Sequence, residues 1–76
     1  MSTNKQSLID NTSTAWVTYI CNSDIWTAES QNNWQIKAVF TWPPTVIKYP
    51  VYNSKPTDEY VFKASDRTTL TYWFTS

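Results

Sequence analysis

The sequence contains no glycine and no histidine, and it has only one cysteine. Because histidine is absent, the chain cannot form a Ser–His or Cys–His catalytic pair, and the lack of glycine excludes a glycine-rich phosphate loop. Cys21 lies in an apolar segment, where burial would make it a small, inert hydrophobic side chain. Asp58 and Glu59 are chain neighbours that we interpret as solvated loop charges. The sequence therefore predicts no enzyme, with no catalytic residue, no cofactor and no metal ligand.

The chain also lacks the usual means of stabilising a small domain. Its 76 residues allow one domain, and a domain of this size usually needs a disulfide, a metal or partner subunits. One cysteine excludes an internal disulfide, and the absence of histidine and of a CxxC motif argues against a zinc site. What remains is docking onto other subunits or an unusually aromatic core, and 13 of the 76 residues are Trp, Tyr or Phe. We therefore expect some of this aromatic surface to face a partner.

Clusters of like charge and long apolar runs are missing as well. Six basic and six acidic side chains give a net charge of zero, and the basic ones are scattered along the chain. Nucleic-acid binding needs clustered Lys and Arg, so we expect no nucleic-acid partner. No apolar run approaches the roughly 20 residues of a membrane span, and residues 1–14 lack the apolar core of a signal peptide. The sequence thus predicts a chain made in the cytoplasm, with no membrane contact.

Residues that favour β-strands dominate what is present, with twelve Thr beside Val, Ile and the aromatic residues. Five strands are predicted, at residues 15–21, 33–42, 45–52, 59–64 and 68–75. They indicate an all-β fold, a small antiparallel β-sandwich or barrel of about five strands. Residues 1–13 have few large apolar side chains and are predicted to form a flexible or partner-ordered N-terminal arm, before a single β domain at residues 14–76.

Alternation along the predicted strands indicates which side chains are buried. In residues 33–42 an apolar face carries Trp34, Ile36, Ala38, Phe40 and Trp42. Residues 15–21 are nearly continuous β-formers, which is typical of a strand buried on both faces. The predicted core residues are Trp16, Trp34, Ile36, Phe40, Phe62, Leu70 and Tyr72.

Partner contacts are predicted where large apolar groups fall off these buried faces. Trp73 alternates with Tyr72 and Phe74, so it points away from the face that they share with Leu70. Pro50 breaks the predicted strand 45–52, which suits a sheet edge or a bulge. The predicted partner-contact residues are Leu8, Ile9, Tyr49, Tyr52 and Trp73.

Three features have a second interpretation. Exposed tryptophans can stack on sugar rings, which would make the chain a carbohydrate-binding module or a receptor-binding tip that contacts a host surface glycan. Candidates for this role are Trp26, Trp42 and Trp73, with Asn32 and Asn33 as hydrogen-bonding neighbours. Residues 42–44 (WPP) either form a proline-rich ligand or simply end a strand. Asp66 and Arg67 either form an ion pair with a neighbouring chain or shape a turn.

Three fragments occur in a distinctive order: TYI at residues 18–20, WQIK at residues 34–37 and DRTTLTY at residues 66–72. This order resembles a group of short structural proteins of tailed bacteriophages, and the resemblance covers roughly residues 14–72. It implies a virion component, in capsid decoration or in a neck, tail or fibre, that contacts other virion proteins and copies of itself. It implies no catalytic residue.

Overall fold

The computed structural model describes residues 4–41 and 44–74. The described elements are β1 (Lys5–Asp10), β2 (Val17–Asp24), β3 (Gln35–Phe40), β4 (Val46–Tyr52), β5 (Lys55–Pro56), a 3-10 helix (Ala64–Asp66) and β6 (Tyr72–Trp73). All strand pairs are antiparallel. The predicted all-β fold is confirmed.

The strands form one open sheet in the order β1-β2-β3-β4-β5, and β6 also pairs with β4. The backbone N–H of Val51 donates to Thr71 at 2.8 Å, whereas the carbonyl of Pro50 accepts from the N–H of Thr57 at 3.0 Å. Successive residues of a strand direct these groups to opposite edges, so β6 and β5 lie on opposite edges of β4. In the described residues the layer over the core is the irregular chain after β5, rather than a second sheet.

The N-terminal segment is part of this sheet, so the prediction of a flexible or partner-ordered arm is wrong for β1. All six residues of β1 pair with β2, from Lys5 opposite Asp24 to Asp10 opposite Tyr19. The polar side chains that suggested an arm have partners on β2: Ser7 Oγ donates to Asn22 Oδ1 at 2.6 Å. Leu8, the apolar residue that faces Cys21, packs against the core.

Other strands differ from their predicted limits. The predicted strand 59–64 is reduced to a bridge between Phe62 and Trp34, followed by the 3-10 helix. In residues 68–74, the described part of the predicted strand 68–75, the strand is limited to β6. β5 lies in a predicted loop, because Asn53 and Ser54 take positive φ angles of 53° and 67° and close a tight hairpin.

Pro50 does not break β4, which is a correction to the predicted break. It is fully buried, and β4 changes pairing partners around it, from β3 at residues 46–48 to β6 and β5 at residues 49–52. Because β4 pairs on both edges, it is not an edge strand; β1 forms one edge of the sheet, and β6 lies at the other.

The core lies on one face of the sheet, which we call the inner face. Its buried hydrophobic residues are Val17, Tyr19, Cys21, Trp34, Ile36, Ala38, Phe62 and Ala64. The predicted core residues Trp34, Ile36 and Phe62 are confirmed. Phe40, Leu70 and Tyr72 are half-buried and pack against this core. β2 is fully buried on this face alone, so its predicted burial on both faces is wrong. Trp42 lies outside the described residues.

Trp16 is the predicted core residue that the structure contradicts. Its side chain is 61% exposed, and its backbone has a positive φ of 66°. It occupies a turn immediately before β2, where the alternation of the strand does not apply. A sequence pattern that treats residue 16 as part of the strand therefore assigns it to the wrong environment.

Candidate interaction surfaces

The second face of the sheet, which we call the outer face, carries a series of apolar side chains. Pairing aligns them across the strands, with Ile9 opposite Ile20, Val39 opposite Ile47, and Tyr49 opposite Trp73. Ile9, Ile47 and Trp73 are 65%, 45% and 47% exposed, and the other three are half-buried. Both hydrophobic clusters of the described residues lie on the inner face. The outer face thus presents apolar surface that these clusters do not use.

The predicted contact residues divide between the two faces. Ile9, Tyr49 and Trp73 belong to the outer face, although they come from three different strands. Leu8 faces inward and packs against the core. Tyr52 packs edge-to-face against Phe62, with ring centroids 5.9 Å apart. The structure therefore brings three of the five predicted contact residues onto one surface.

Trp26 is the most exposed large hydrophobic residue described, with 91% of its side chain accessible. It is the third residue of a four-residue turn, which the N–H of Thr27 closes by donating to the carbonyl of Asp24 at 3.3 Å. Its φ is 70°. Such a position favours glycine or asparagine, and placing a Cβ there costs roughly 1–2 kcal/mol.

Trp16 has the same arrangement at the other end of β2. The N–H of Val17 donates to the carbonyl of Thr14 at 3.3 Å, so Trp16 is also the third residue of a closed turn with a positive φ. Its own carbonyl accepts hydrogen bonds from the N–H and the hydroxyl of Thr41, at 2.8 Å and 3.1 Å. The one sequence feature that could have indicated these two turn positions is the absence of glycine, because other residues must then take positive φ angles.

Hydrogen bonds from β1 hold the Trp26 turn in place. The side-chain amide of Gln6 donates to the carbonyls of Asp24 and Thr27, at 3.0 Å and 2.9 Å. Lys5 Nζ lies 2.6 Å from Asp24 Oδ1. The turn is thus tied on both sides of Trp26, while the indole itself extends into solvent.

Arg67 connects three segments within the chain, which answers the question that the sequence left open. Its Nε donates to Asp10 Oδ2 at 2.8 Å, and its Nη1 donates to the carbonyl of Ala64 at 2.9 Å and to Glu29 Oε1 at 3.5 Å. Its own carbonyl accepts from the Tyr72 hydroxyl at 2.6 Å. Arg67 thus pairs with Asp10 of its own chain. This ion pair attaches the irregular chain after β5, which covers the core, to β1.

The titration behaviour of this region follows from its contacts. Hydrogen bonds from Ser13, from the Thr12 N–H and from Arg67 hold the pKa of Asp10 well below its usual range. Burial raises the pKa of Cys21 to about 11, so its thiol stays protonated at neutral pH. Burial also raises the pKa of Tyr72. These groups are held in one protonation state, which indicates a structural role.

The loop after β4 borders a further candidate site. An open cavity of about 370 Å³ is lined by Tyr52, Asn53, Lys55, Pro56, Thr57 and Glu59. Among residues 4–41 and 44–74, no group of His, Cys, Asp or Glu is arranged to hold a metal ion. In the same residues no helix has the length and apolar character needed to cross a membrane.

The comparisons with known proteins add no relative. No protein-family model, no curated protein and no solved structure matches the chain.

Proposed function

We propose that this chain is a non-enzymatic structural component of a bacteriophage virion, attached by packing its outer face against another virion protein. The observation that supports this most is the series of apolar side chains on the outer face of an open sheet, where Ile9, Ile47 and Trp73 remain about half exposed or more. Exposed apolar patches of this kind mark interaction sites, and Trp and Tyr are enriched where partners meet.

The small size of the chain supports the same function. Among residues 4–41 and 44–74, the core clusters cover one face of the sheet. A domain this small has a marginal core, and packing a second protein on the outer face would add the burial that neither a disulfide nor a metal supplies. The partner surface would serve as the missing second layer of the fold.

The charge on the outer face indicates what the partner surface carries. Lys37 lies opposite Ile20 on this face, and it forms none of the ion pairs found among the described residues. The acidic residue of β1–β4 that shares the face is Asp24, which already pairs with Lys5. We expect a partner that is largely apolar, with a carboxylate placed to meet Lys37.

The resemblance of residues 14–72 to short phage structural proteins directs the proposal to a virion. Its test is quantitative mass spectrometry of purified phage particles, with the major capsid protein as the internal standard. Equal copy numbers would indicate decoration of the whole shell, whereas a few to tens of copies would indicate a neck, tail or fibre. Absence from intact particles would overturn the proposal.

Glycan binding is a second candidate, because Trp26 extends an almost fully exposed indole from a loop in which Asn32 and Asn33 are also exposed. Titration of tryptophan fluorescence with host polysaccharides tests it. A saturable shift that Trp26→Ala removes would support glycan binding. An unchanged spectrum across the panel would exclude these glycans as ligands.

A further inference from the structure

β1 forms the edge of the sheet, and no other described strand pairs with its open side. The direction of its backbone groups follows from one hydrogen bond, in which the N–H of Ile25 donates to the carbonyl of Asn4 at 3.2 Å. Because backbone groups alternate along a strand, residues 4, 6, 8 and 10 face β2. Lys5, Ser7 and Ile9 therefore direct their N–H and C=O groups to the open edge.

This edge has little protection against pairing. Natural edge strands usually carry proline, bulges or charged side chains that prevent another strand from adding. β1 contains no proline, all six of its residues pair in register with β2, and residues 6–9 are uncharged. The ammonium group of Lys5 is already engaged by Asp24.

We propose that a second copy of this chain adds to this edge, with its β1 antiparallel to the first and a two-fold axis through Ser7. The inference deepens the proposed function, because it identifies one partner of the assembly as the chain itself. The outward groups of Lys5, Ser7 and Ile9 are symmetric about Ser7, so an antiparallel copy meets a donor with an acceptor at each position.

The number of hydrogen bonds selects this register. When the two-fold axis passes through Ser7, Ser7 of one copy faces Ser7 of the other. Lys5 of each copy then faces Ile9 of the other, so there are three facing pairs with two hydrogen bonds each. A shift of the second copy by two residues in either direction leaves only two such pairs within β1. Register is also limited to even steps, because a one-residue shift would place outer-face side chains opposite inner-face ones.

The side chains suit this arrangement. Lys5, Ser7 and Ile9 all belong to the outer face and are exposed. Ile9 would pack under the methylene stem of Lys5 from the second copy, which covers the most exposed apolar side chain of β1. The chain has no net charge, so two copies do not repel each other through their overall charge.

The consequence is a larger docking surface. A two-fold axis perpendicular to the sheet keeps both outer faces on the same side, so two copies form one continuous sheet with one continuous outer face. The interface is isologous, and it therefore closes at two copies instead of growing into a fibre. The opposite strand β6 has only two residues and is a much shorter edge for pairing.

Cross-linking through Ser7→Cys tests the register directly. Facing residues of a hydrogen-bonded pair have Cα atoms about 5.5 Å apart, which lies within the range of a disulfide. Under mild oxidation we expect a covalent dimer of twice the 8.9 kDa chain mass. The wild-type chain should form little covalent dimer, because its cysteine, Cys21, is fully buried. Ser30→Cys, at an exposed serine of the β2–β3 loop, is the matched control and should cross-link much less.

Sedimentation equilibrium of Ser7→Pro and Ser7→Ala gives an independent test. The N–H of Ser7 points away from β2, so proline should leave the chain folded while it removes two hydrogen bonds from the interface, one donated by each copy. We expect wild type and Ser7→Ala to be dimers and Ser7→Pro to dissociate at least tenfold more readily. Loss of the near-ultraviolet circular dichroism signal in Ser7→Pro would mean that this variant is unfolded. The cross-linking experiment is then the test of the interface.

Two results would overturn the inference: a wild-type chain that stays monomeric at the highest concentration reached, or equal cross-linking by Ser7→Cys and Ser30→Cys. Failure here is separate from failure of the proposed function. A monomer that is nevertheless found in particles contradicts only the dimer, whereas a dimer that is absent from particles contradicts only the virion role.

Discussion

Two tryptophans, Trp16 and Trp26, occupy backbone positions that usually belong to glycine. Each is the third residue of a hydrogen-bonded turn and has a positive φ angle. The two turns lie at the two ends of β2. Strained backbone positions of this kind are kept where surrounding structure or function requires them. Since Trp26 is nearly fully exposed, packing among the described residues does not explain its presence at this position.

Replacing Trp26 by asparagine should therefore stabilise the isolated chain. Asparagine tolerates positive φ, so Trp26→Asn should raise the free energy of unfolding by about 1 kcal/mol, measured by urea denaturation. Trp73→Asn is the matched control, because Trp73 is also exposed but lies in a strand with ordinary backbone geometry. A loss of stability in Trp26→Asn would show that the indole packs within its own chain.

Asp10 should make stability depend on acid pH. Its folded pKa lies below the value of about 3.9 for an unfolded chain, so its contribution is complete above that value and is lost as pH falls toward the folded pKa. Asp10→Asn should be less stable at pH 7 and should lose less stability between about pH 5 and pH 2.

The control for this measurement is Asp24→Asn. Asp24 pairs with Lys5 at the surface, where solvent screens an ion pair, so a small change at pH 7 is expected. If Asp10→Asn and the wild-type chain lost the same stability between about pH 5 and pH 2, this result would contradict a role for the Asp10 carboxylate.

At the scale of elements, β1 shows how a polar segment becomes a strand. Its side chains alternate between contacts with the core and contacts with solvent, and the polar ones bond to β2. The stability of this element comes from the strand that it meets and from the packing of Leu8 on the core.

Neighbouring substitutions in β1 should therefore differ sharply in effect. Leu8→Ala removes a side chain that packs on the core and should cost about 1–3 kcal/mol, whereas Ile9→Ala on the outer face should cost less than about 0.5 kcal/mol. Both are measured by denaturation at concentrations where the chain is monomeric. Equal, negligible effects would mean that β1 is not docked in the isolated chain.

At the scale of the whole molecule, the two faces of the sheet differ in how the described residues cover them. The inner face is filled by Trp34, Ile36 and Phe62, together with the segment that Arg67 fastens to β1. The outer face carries a series of apolar side chains, including Ile9, Ile47 and Trp73, that lie outside the core clusters. Among the described residues, the core clusters therefore use one face of the sheet, and the proposed assembly would use the other.

Two aromatic residues of similar exposure allow the proposed docking on the outer face to be distinguished from packing on the core. Trp73 on the outer face is 47% exposed, and Tyr52 is 44% exposed but packs on Phe62 of the core. We expect Trp73→Ala to reduce incorporation into particles with little loss of stability, and Tyr52→Ala to destabilise the chain more. Incorporation is measured by mass spectrometry and stability by thermal unfolding. The reverse pattern would place the docking surface on the inner face.

Local patterns in the sequence were sufficient for part of this description. The all-β class follows from composition, and the inner-face placement of Trp34, Ile36 and Phe40 follows from alternation along one strand. Alternation is a property of neighbouring residues, so it needs no knowledge of the rest of the chain. The positions of Tyr72 and Trp73 on opposite faces follow in the same way.

By itself, then, the sequence determined the class of fold and the buried face of its most regular strand. Only the tertiary structure decided that β1 belongs to the sheet, that Trp16 is exposed in a turn, that Arg67 pairs with Asp10, and that Ile9, Tyr49 and Trp73 share one surface. Asp10 and Arg67 are 57 residues apart in the chain. Such contacts depend on strand pairing and register between distant segments, which no local pattern specifies.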